Sequence, residues 1–485
     1  MSPLANLPAE LKLCIAESLS PIERFSLGLT CKAFWFAFSS LLAKHKELDR
    51  KYRRVSTEDD SFMAWNVLSA VLDPDNPDVA WHIEEVGLGS QRTTIYSEPY
   101  WEGAEELDAS ERLMEEVADK FIEAAESIEF LTVHYDSQRE PAFDYHLLGE
   151  DIRMGIDAPV IVTLLFLLPR LRDLHFVDVG DFEWILNGFR QLALAYEKPN
   201  PAPNLPLQCL TNIYIGHWDT ELSLDWELAY CVIRLPSLRS LVGHMIGSTD
   251  QDAPEDDIPG WEMALDGSQS SNVEEMTFLH SGLSRQAVLA LASRCKNLKK
   301  FKYSNGGATV TDVVYDPRGM INALSRFCYH SLEVLCLEDD DQCNRIGEMD
   351  GEEGPPPSLH AFQELRIISC SAADIYNNSS YRTGREGPLD REDLSFNPEQ
   401  KLPSSLRRLQ LTFLVDALAY KAPERLINEI ASAKESYFAE LKQIWLCDEF
   451  GNINAKCEEK AKEMGVNCKP IPSFAADYGY DPQDW

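Results

Sequence analysis

AVLALASRCKNLKKFKY, residues 287–303, joins two periodicities in one short stretch. Ser284 stands where an N-cap belongs, and Val288, Leu291, Ala292 and Cys295 follow at helical spacing, so the first half reads as an amphipathic helix. Leu298, Phe301 and Tyr303 then occupy positions one, four and six of a segment whose last three positions alternate, the pattern of a short strand with one buried face. Helix followed by strand is the unit of a repeating α/β array. RFCYHSLEVLCL, residues 326–337, is a second, weaker copy.

Working outward, the one-four-six pattern recurs at Ile128-Leu131-Val133, Leu171-Leu174-Phe176, Leu210-Ile213-Ile215, Leu238-Leu241 and Val273-Met276-Phe278. It continues at Leu332-Leu335-Leu337, Phe362-Leu365-Ile367, Leu406-Leu409-Leu411 and Leu441-Ile444-Leu446. Leu113, Val117 and Phe121, four apart, predict a helix leading into the first of these. The strands are expected 25 to 44 residues apart, so the array is irregular and carries insertions at 198–206, 248–260, 338–358 and 377–405, all rich in Pro, Gly or charge.

The N-terminus is of another kind. LPAELKLCIAESLSPIERFSLGLTCKAFWFAF, residues 7–38, places Pro8 in a first helical turn, Leu11, Ile15 and Leu19 four apart on one face, and a breaking Pro21. Ile22, Phe25, Leu27, Leu29 and Phe34 supply a second apolar face ending in Phe34, Trp35, Phe36 and Phe38. A stretch this short buries too little to stand alone, so its apolar surface needs a partner, either another domain or another protein.

Leu7-Pro8, Glu10-Leu11, Ile15, Leu19, Glu23-Arg24-Phe25 and Thr30-Cys31-Lys32 followed by an aromatic resemble an F-box over residues 3–45, with Trp35 one place after the position where many members carry Trp. The repeats resemble the cysteine-containing leucine-rich repeats that often follow an F-box. The resemblance implies an α/β fold: a short helical F-box followed by an irregular leucine-rich-repeat solenoid, parallel strands on the concave face and helices on the convex face. It divides the chain into an F-box at 1–48, a linker and N-terminal cap at 49–110, the repeat domain at 111–470 and a C-terminal tail at 471–485. Residues 46–110 mix helical signals at Trp65, Val67, Leu68, Val71 and Leu72 with strand signals in WHIEEVGLGSQRTTIYSEPYW.

By the same resemblance, Leu7, Pro8, Glu10, Leu11, Ile15, Leu19, Phe25, Cys31, Lys32 and Phe34 are expected to dock on a Skp-type adaptor, and through it a cullin. The repeats are expected to hold an unknown substrate protein for ubiquitin-dependent degradation. The alternative is an F-box and leucine-rich-repeat interaction scaffold without a ubiquitination role.

Composition bounds the rest. Forty-four basic against 80 acidic side chains leave a net charge of −36, which repels phosphate backbones and anionic membranes alike. Twelve scattered cysteines without a CxxC pair read as reduced thiols, and the longest apolar run, Val160 to Leu168, is too short to span a bilayer. With no signal-peptide pattern, an intracellular protein of cytoplasm or nucleus is expected. No phosphate loop, GxSxG or HExxH occurs and the histidines are isolated, so neither catalysis nor a metal or other cofactor is expected.

On the expected concave face, residues flanking the fourth and sixth repeat positions point outward. They include Tyr214, Lys300, Lys302, Glu364, Arg366, Arg408, Gln410, Gln443 and Trp445. Lys300, Lys302, Arg366 and Arg408 stand out on so acidic a chain and suggest an acidic or phosphorylated target; an ordinary solvated strand face is the other reading. The run Lys44, Lys46, Arg50, Lys51, Arg53 and Arg54 reads as a solvated helix face, a nuclear localisation signal, or a face that steers an acidic adaptor.

Overall fold

From residue 3 to residue 52 the chain is helical apart from short connections in the computed structural model, which describes residues 3–57, 63–89, 115–131, 145–178, 183–217, 223–248, 270–306, 313, 315–339, 358–375, 397–413, 422–448 and 455–468. The protein divides into two units, Met1–Ile213 and Tyr214–Trp485.

In the first unit α1 (Ala9–Glu17), α2 (Pro21–Thr30), α3 (Lys32–Ala37) and α4 (Ser39–Tyr52) come in quick succession. Pro8 caps α1, and at the start of α2 the Ser20 N–H donates to the Glu23 carboxylate at 2.9 Å, with Pro21 as first helical residue. Their common core is small: Ala16, Phe34 and Phe38, with Leu27, Cys31, Leu41 and Leu42 packed around it.

Two strands lie in the segment read as linker and cap. β1 (Arg54–Ser56) pairs parallel with β2 (Glu85–Leu88), and β2 with β3 (Asp173–Asp178), in the register Val55, Val86, Leu174. Between β1 and β2 run α5 (Ala64–Val71) and α6 (Val79–His82). The ladder therefore starts at Arg54. Between β2 and β3 come α7 (Glu115–Glu126), α8 (Tyr145–Met154) and α9 (Asp157–Phe166). The strand expected at Ile128-Leu131 is a turn instead: Leu131 N–H closes on Ile128 O at 3.0 Å, and Ile128, Phe130 and Leu131 are buried at the end of α7, Phe130 edge-on to Phe166. Val133 lies outside the described residues, as does Leu113. Every residue of α9 is buried, so the Val160–Leu168 run is spent on a core helix and its exit. α10 (Glu183–Glu197) closes the unit, followed by the expected proline-rich loop at 198–206.

The second unit is a parallel α/β array. β4 (Asn212–His217), β6 (Ser240–His244), β8 (Glu275–Ser281), β9 (Lys300–Asn305), β10 (Val334–Asp339), β11 (Ile367–Ser371), β12 (Arg408–Phe413), β13 (Gln443–Asp448) and β14 (Asn467–Cys468) are neighbours in chain order. β5 (Leu224–Asp225) and β7 (Ile246–Gly247) form a separate two-stranded sheet. Parallel neighbours need long crossovers, and these carry α11 (Trp226–Val232), α12 (Arg285–Arg294), α13 (Pro317–Phe327), α14 (Ala372–Ile375), α15 (Pro398–Lys401), α16 (Ala422–Ala433) and α17 (Ala455–Glu463). Ser284 caps α12 as expected, accepting from the Ala287 N–H at 3.2 Å.

Apolar residues at positions one and four form buried rows: Leu238, Val273, Leu298, Leu332, Leu365, Leu406 and Leu441 in the first, and Leu241, Met276, Phe301, Leu335, Ile368, Leu409 and Ile444 in the second. β11 departs from the expected register by three residues. Ile368, not Leu365, sits level with Leu335 and Leu409, and Cys370 fills the sixth position as a small buried hydrophobe. β8 carries a bulge after Phe278, where His280 adopts a left-handed φ of 47° before the ladder resumes at Ser281 opposite Asn305. The insertions at 248–260, 338–358 and 377–405 fall largely outside the described residues, and the tail at 471–485 entirely so. No helix among the described residues is long and apolar enough to cross a membrane.

Candidate functional site

Large apolar side chains stay exposed chiefly at the N-terminus. Leu4, Leu11, Ile22, Phe25, Leu29, Trp35 and Phe36 are all exposed, whereas the remaining described residues add only Leu147, Met154 and Tyr329. Ile22, Phe25 and Leu29 follow i, i+3, i+7 spacing and form an outward stripe on α2, with Trp35 edge-on to Phe25 at 6.5 Å between centroids. Leu29 is 62% and Phe36 71% exposed. A helical stripe in this pattern ordinarily faces a core, and here it faces outward.

Of the residues expected to dock an adaptor, Pro8, Glu10, Leu11, Phe25 and Lys32 are exposed, and Leu7, Ile15, Leu19 and Cys31 half-buried. Phe34 belongs to the core instead, 4% exposed and packed on Phe38. The inner face of α1 is made by Lys12 and Ala16: small Ala16 lets α1 approach closely, and the Lys12 stem lies inward with Nζ 5.8 Å from the Phe34 ring centroid. The Leu11, Ile15, Leu19 row is thereby left on the outer side. Ile22 and Leu29 lie outside the expected docking set although their i, i+7 spacing about Phe25 is a legible signal, whereas Phe36 on α3 carries no such spacing.

A polar network holds the helices in place. The Arg24 guanidinium donates to Ala16 O at 2.7 Å and Leu19 O at 2.8 Å, closing the end of α1, and to the Asp78 carboxylate at 2.7 Å beside α6. His45 on α4 meets His82 on α6 at 3.0 Å between ring nitrogens, and Asp49 approaches His82 at 3.8 Å. Burial pushes both imidazoles below their ordinary pKa, so the pair favours neutral rings. Nearby, buried Glu84 binds Arg53 at 3.1 Å and also Arg170, whose guanidinium stacks over Trp81.

In the second unit the strand face opposite the apolar rows is half-exposed. Lys300 and Lys302 sit on β9 as expected, but Lys300 pairs with Glu275 on the neighbouring strand at 2.5 Å. Arg408 lies on the same row, two strands beyond β10, with Val334 and Ile367 between. The β11 shift takes Glu364 and Arg366 off this face and puts Ile367 and Ser369 there; Arg366 lies at the strand entrance, bound to Glu333 at 2.9 Å and Glu364 at 3.1 Å. Tyr214 and Trp445 are buried on this side, Tyr214 stacked with His244. The four cations therefore do not form one cluster.

Among the described residues no group of three or more His, Cys, Asp or Glu is arranged to hold a metal ion. Nine cysteines among the described residues are free thiols, and burial pushes that of Cys328 up to about 12. Compared with known proteins, the chain matches no family model and no curated protein.

Proposed function

We propose that this chain is an F-box protein with irregular leucine-rich repeats, the substrate-recognition subunit of an SCF-type cullin ubiquitin ligase. The single observation that carries the reading is the exposed apolar stripe of α2 with Trp35 and Phe36, lying within the residues that resemble an F-box. Covering such a stripe yields roughly 1.5–3 kcal/mol per fully buried large side chain, enough for stable docking from a few anchors. A Skp-type adaptor is the partner the resemblance names. The protein itself catalyses nothing in this account: it tethers a target beside the ubiquitin-carrying enzyme and so raises effective concentration.

The test is co-purification of the full-length protein with a Skp-type adaptor, followed by reconstitution of the ligase on a captured partner. Replacing Leu7 and Pro8 together with Ala is expected to weaken adaptor recovery strongly while the second unit's melting is unchanged. Undiminished recovery contradicts the docking assignment. Adaptor binding without modification of any captured partner supports the interaction scaffold instead.

A further inference from the structure

We propose that the strand face of β11 to β13 is a receptor for carboxylate groups on an acidic segment of a partner protein, with Arg408 as its anchor. In the ladder Arg408 lies between Ile367 and Gln443. Its guanidinium stacks over the Trp445 ring, 4.6 Å from the centroid, and Nε donates to Gln443 Oε1 at 2.6 Å. Ring and amide together fix the plane of the fork. No carboxylate among the described residues forms an ion pair with it, so Nη1 and Nη2 remain as paired donors of the geometry that matches a carboxylate.

A second observation points to an absent acceptor on the same face. Trp445 is only 8% exposed, yet its indole Nε1 has no hydrogen-bond partner among the described residues. Buried donors are nearly always satisfied, so an acceptor that enters beside Arg408 is expected to engage Nε1 once the ring yields enough to expose it.

Further cations stand at the strand entrances, one residue before the Arg408 row and so off its face. Arg407 N–H donates to Arg366 O and Lys442 N–H to Arg407 O, so three cationic residues occupy successive positions about 4.8 Å apart across β11 to β13. Arg366 has two glutamate partners, Glu333 and Glu364, and Arg407 has Glu440, while Lys442 is exposed. The entrance cations are thus balanced by Glu333, Glu364 and Glu440, which leaves the Arg408 fork as the group that selects an anion, while the chain's net charge of −36 repels an extended nucleic acid. An open, half-exposed strand face with a single fixed fork suits a carboxylate side chain presented on an extended polypeptide better than a small enclosed ligand. The inference is independent of the ligase reading.

The test titrates the full-length protein into a short fluorescein-labelled peptide of alternating serine and glutamate, followed by anisotropy. A serine–lysine peptide and a peptide with phosphoserine in place of glutamate form the other arms. Salt-sensitive binding of the glutamate peptide is expected, weakened about tenfold or more by Arg408→Gln. Arg408→Lys retains the charge but loses the fork, and is expected to weaken binding severalfold; Trp445→Phe retains the ring and removes only the N–H, with a smaller loss. Lys456→Gln on α17 is expected to change nothing. Melting curves of the variants establish that they are folded. Equal affinity of folded Arg408→Gln and parent, equal binding of the lysine peptide, no binding of the glutamate peptide, or binding of the phosphoserine peptide alone would each overturn the assignment.

Discussion

The same apolar residue types are placed in opposite ways in α2 and in β12. On β12, Leu409 and Leu411 alternate with half-exposed Arg408 and Gln410, and both leucines are fully buried. On α2, Ile22, Phe25 and Leu29 keep strict helical spacing, yet all three are exposed. The strand's apolar face is covered within the unit, whereas the helical stripe is left uncovered by the protein's own core of Ala16, Phe34 and Phe38. Periodicity identifies a face that seeks cover; what covers it is a separate question.

The sharpest way to break this contrast is to truncate on both sides of it. Leu335→Ala and Leu409→Ala are each expected to destabilise the second unit by about 2–5 kcal/mol, through lost transfer energy and the cavity left behind. Phe34→Ala is expected to cost about 3–5 kcal/mol in the helical segment, while Phe36→Ala beside it changes stability by no more than about 0.5 kcal/mol. Denaturant unfolding of the four variants reads this directly. Equal losses for Phe34→Ala and Phe36→Ala would erase the distinction between core and surface.

Acid sharpens the comparison from the strand side. Burial holds His175 on β3 and His244 on β6 to a pKa of about 4, aided by Arg54 in the first case and by His280 in the second. The unfolded chain takes up these protons near pH 6.5, so between 6.5 and about 4 it binds more protons than the folded protein, and stability falls as pH falls. His244→Asn is therefore expected to flatten the loss of melting temperature across that window. Parallel pH profiles for variant and parent would mean that the strand face does not exclude water at His244.

The smallest effect concerns the exposed charges. Glu275→Gln removes the partner of Lys300, and both side chains are more than two-fifths exposed, so a change below about 1 kcal/mol is expected from thermal melts. A larger one would show the two groups to be better shielded than their exposure indicates.

How much was legible in the sequence follows the same physics. The leucines at position one of the repeats could be read because each is buried and each stands at a fixed offset from an alternating strand. β11 could not, because its sixth position is Cys370, and Phe362-Leu365-Ile367 offered a better apolar match three residues earlier. β1 was missed because Arg54-Val55-Ser56 contains one apolar residue, too few for a period. The WHIEEVGLG stretch did suggest the strand that β2 supplies, without its partners. At the N-terminus the helices were readable from Pro8, Pro21 and the spacing around them. Their inner faces were not, since Lys12 turns inward on its stem while Leu11 turns outward, an inversion that residue type opposes.

The central claim is that the outward stripe of α2 with Trp35 and Phe36 is a docking face. Calorimetric titration of the full-length protein with a purified Skp-type adaptor tests it most directly, comparing the parent with the Leu29→Asp, Phe36→Asp double variant. Placing charge in a contact that must desolvate is expected to weaken binding by about a hundredfold or more, with unfolding of the variant unchanged because neither side chain is buried. Affinity equal to that of the parent, in a folded double variant, would contradict the account.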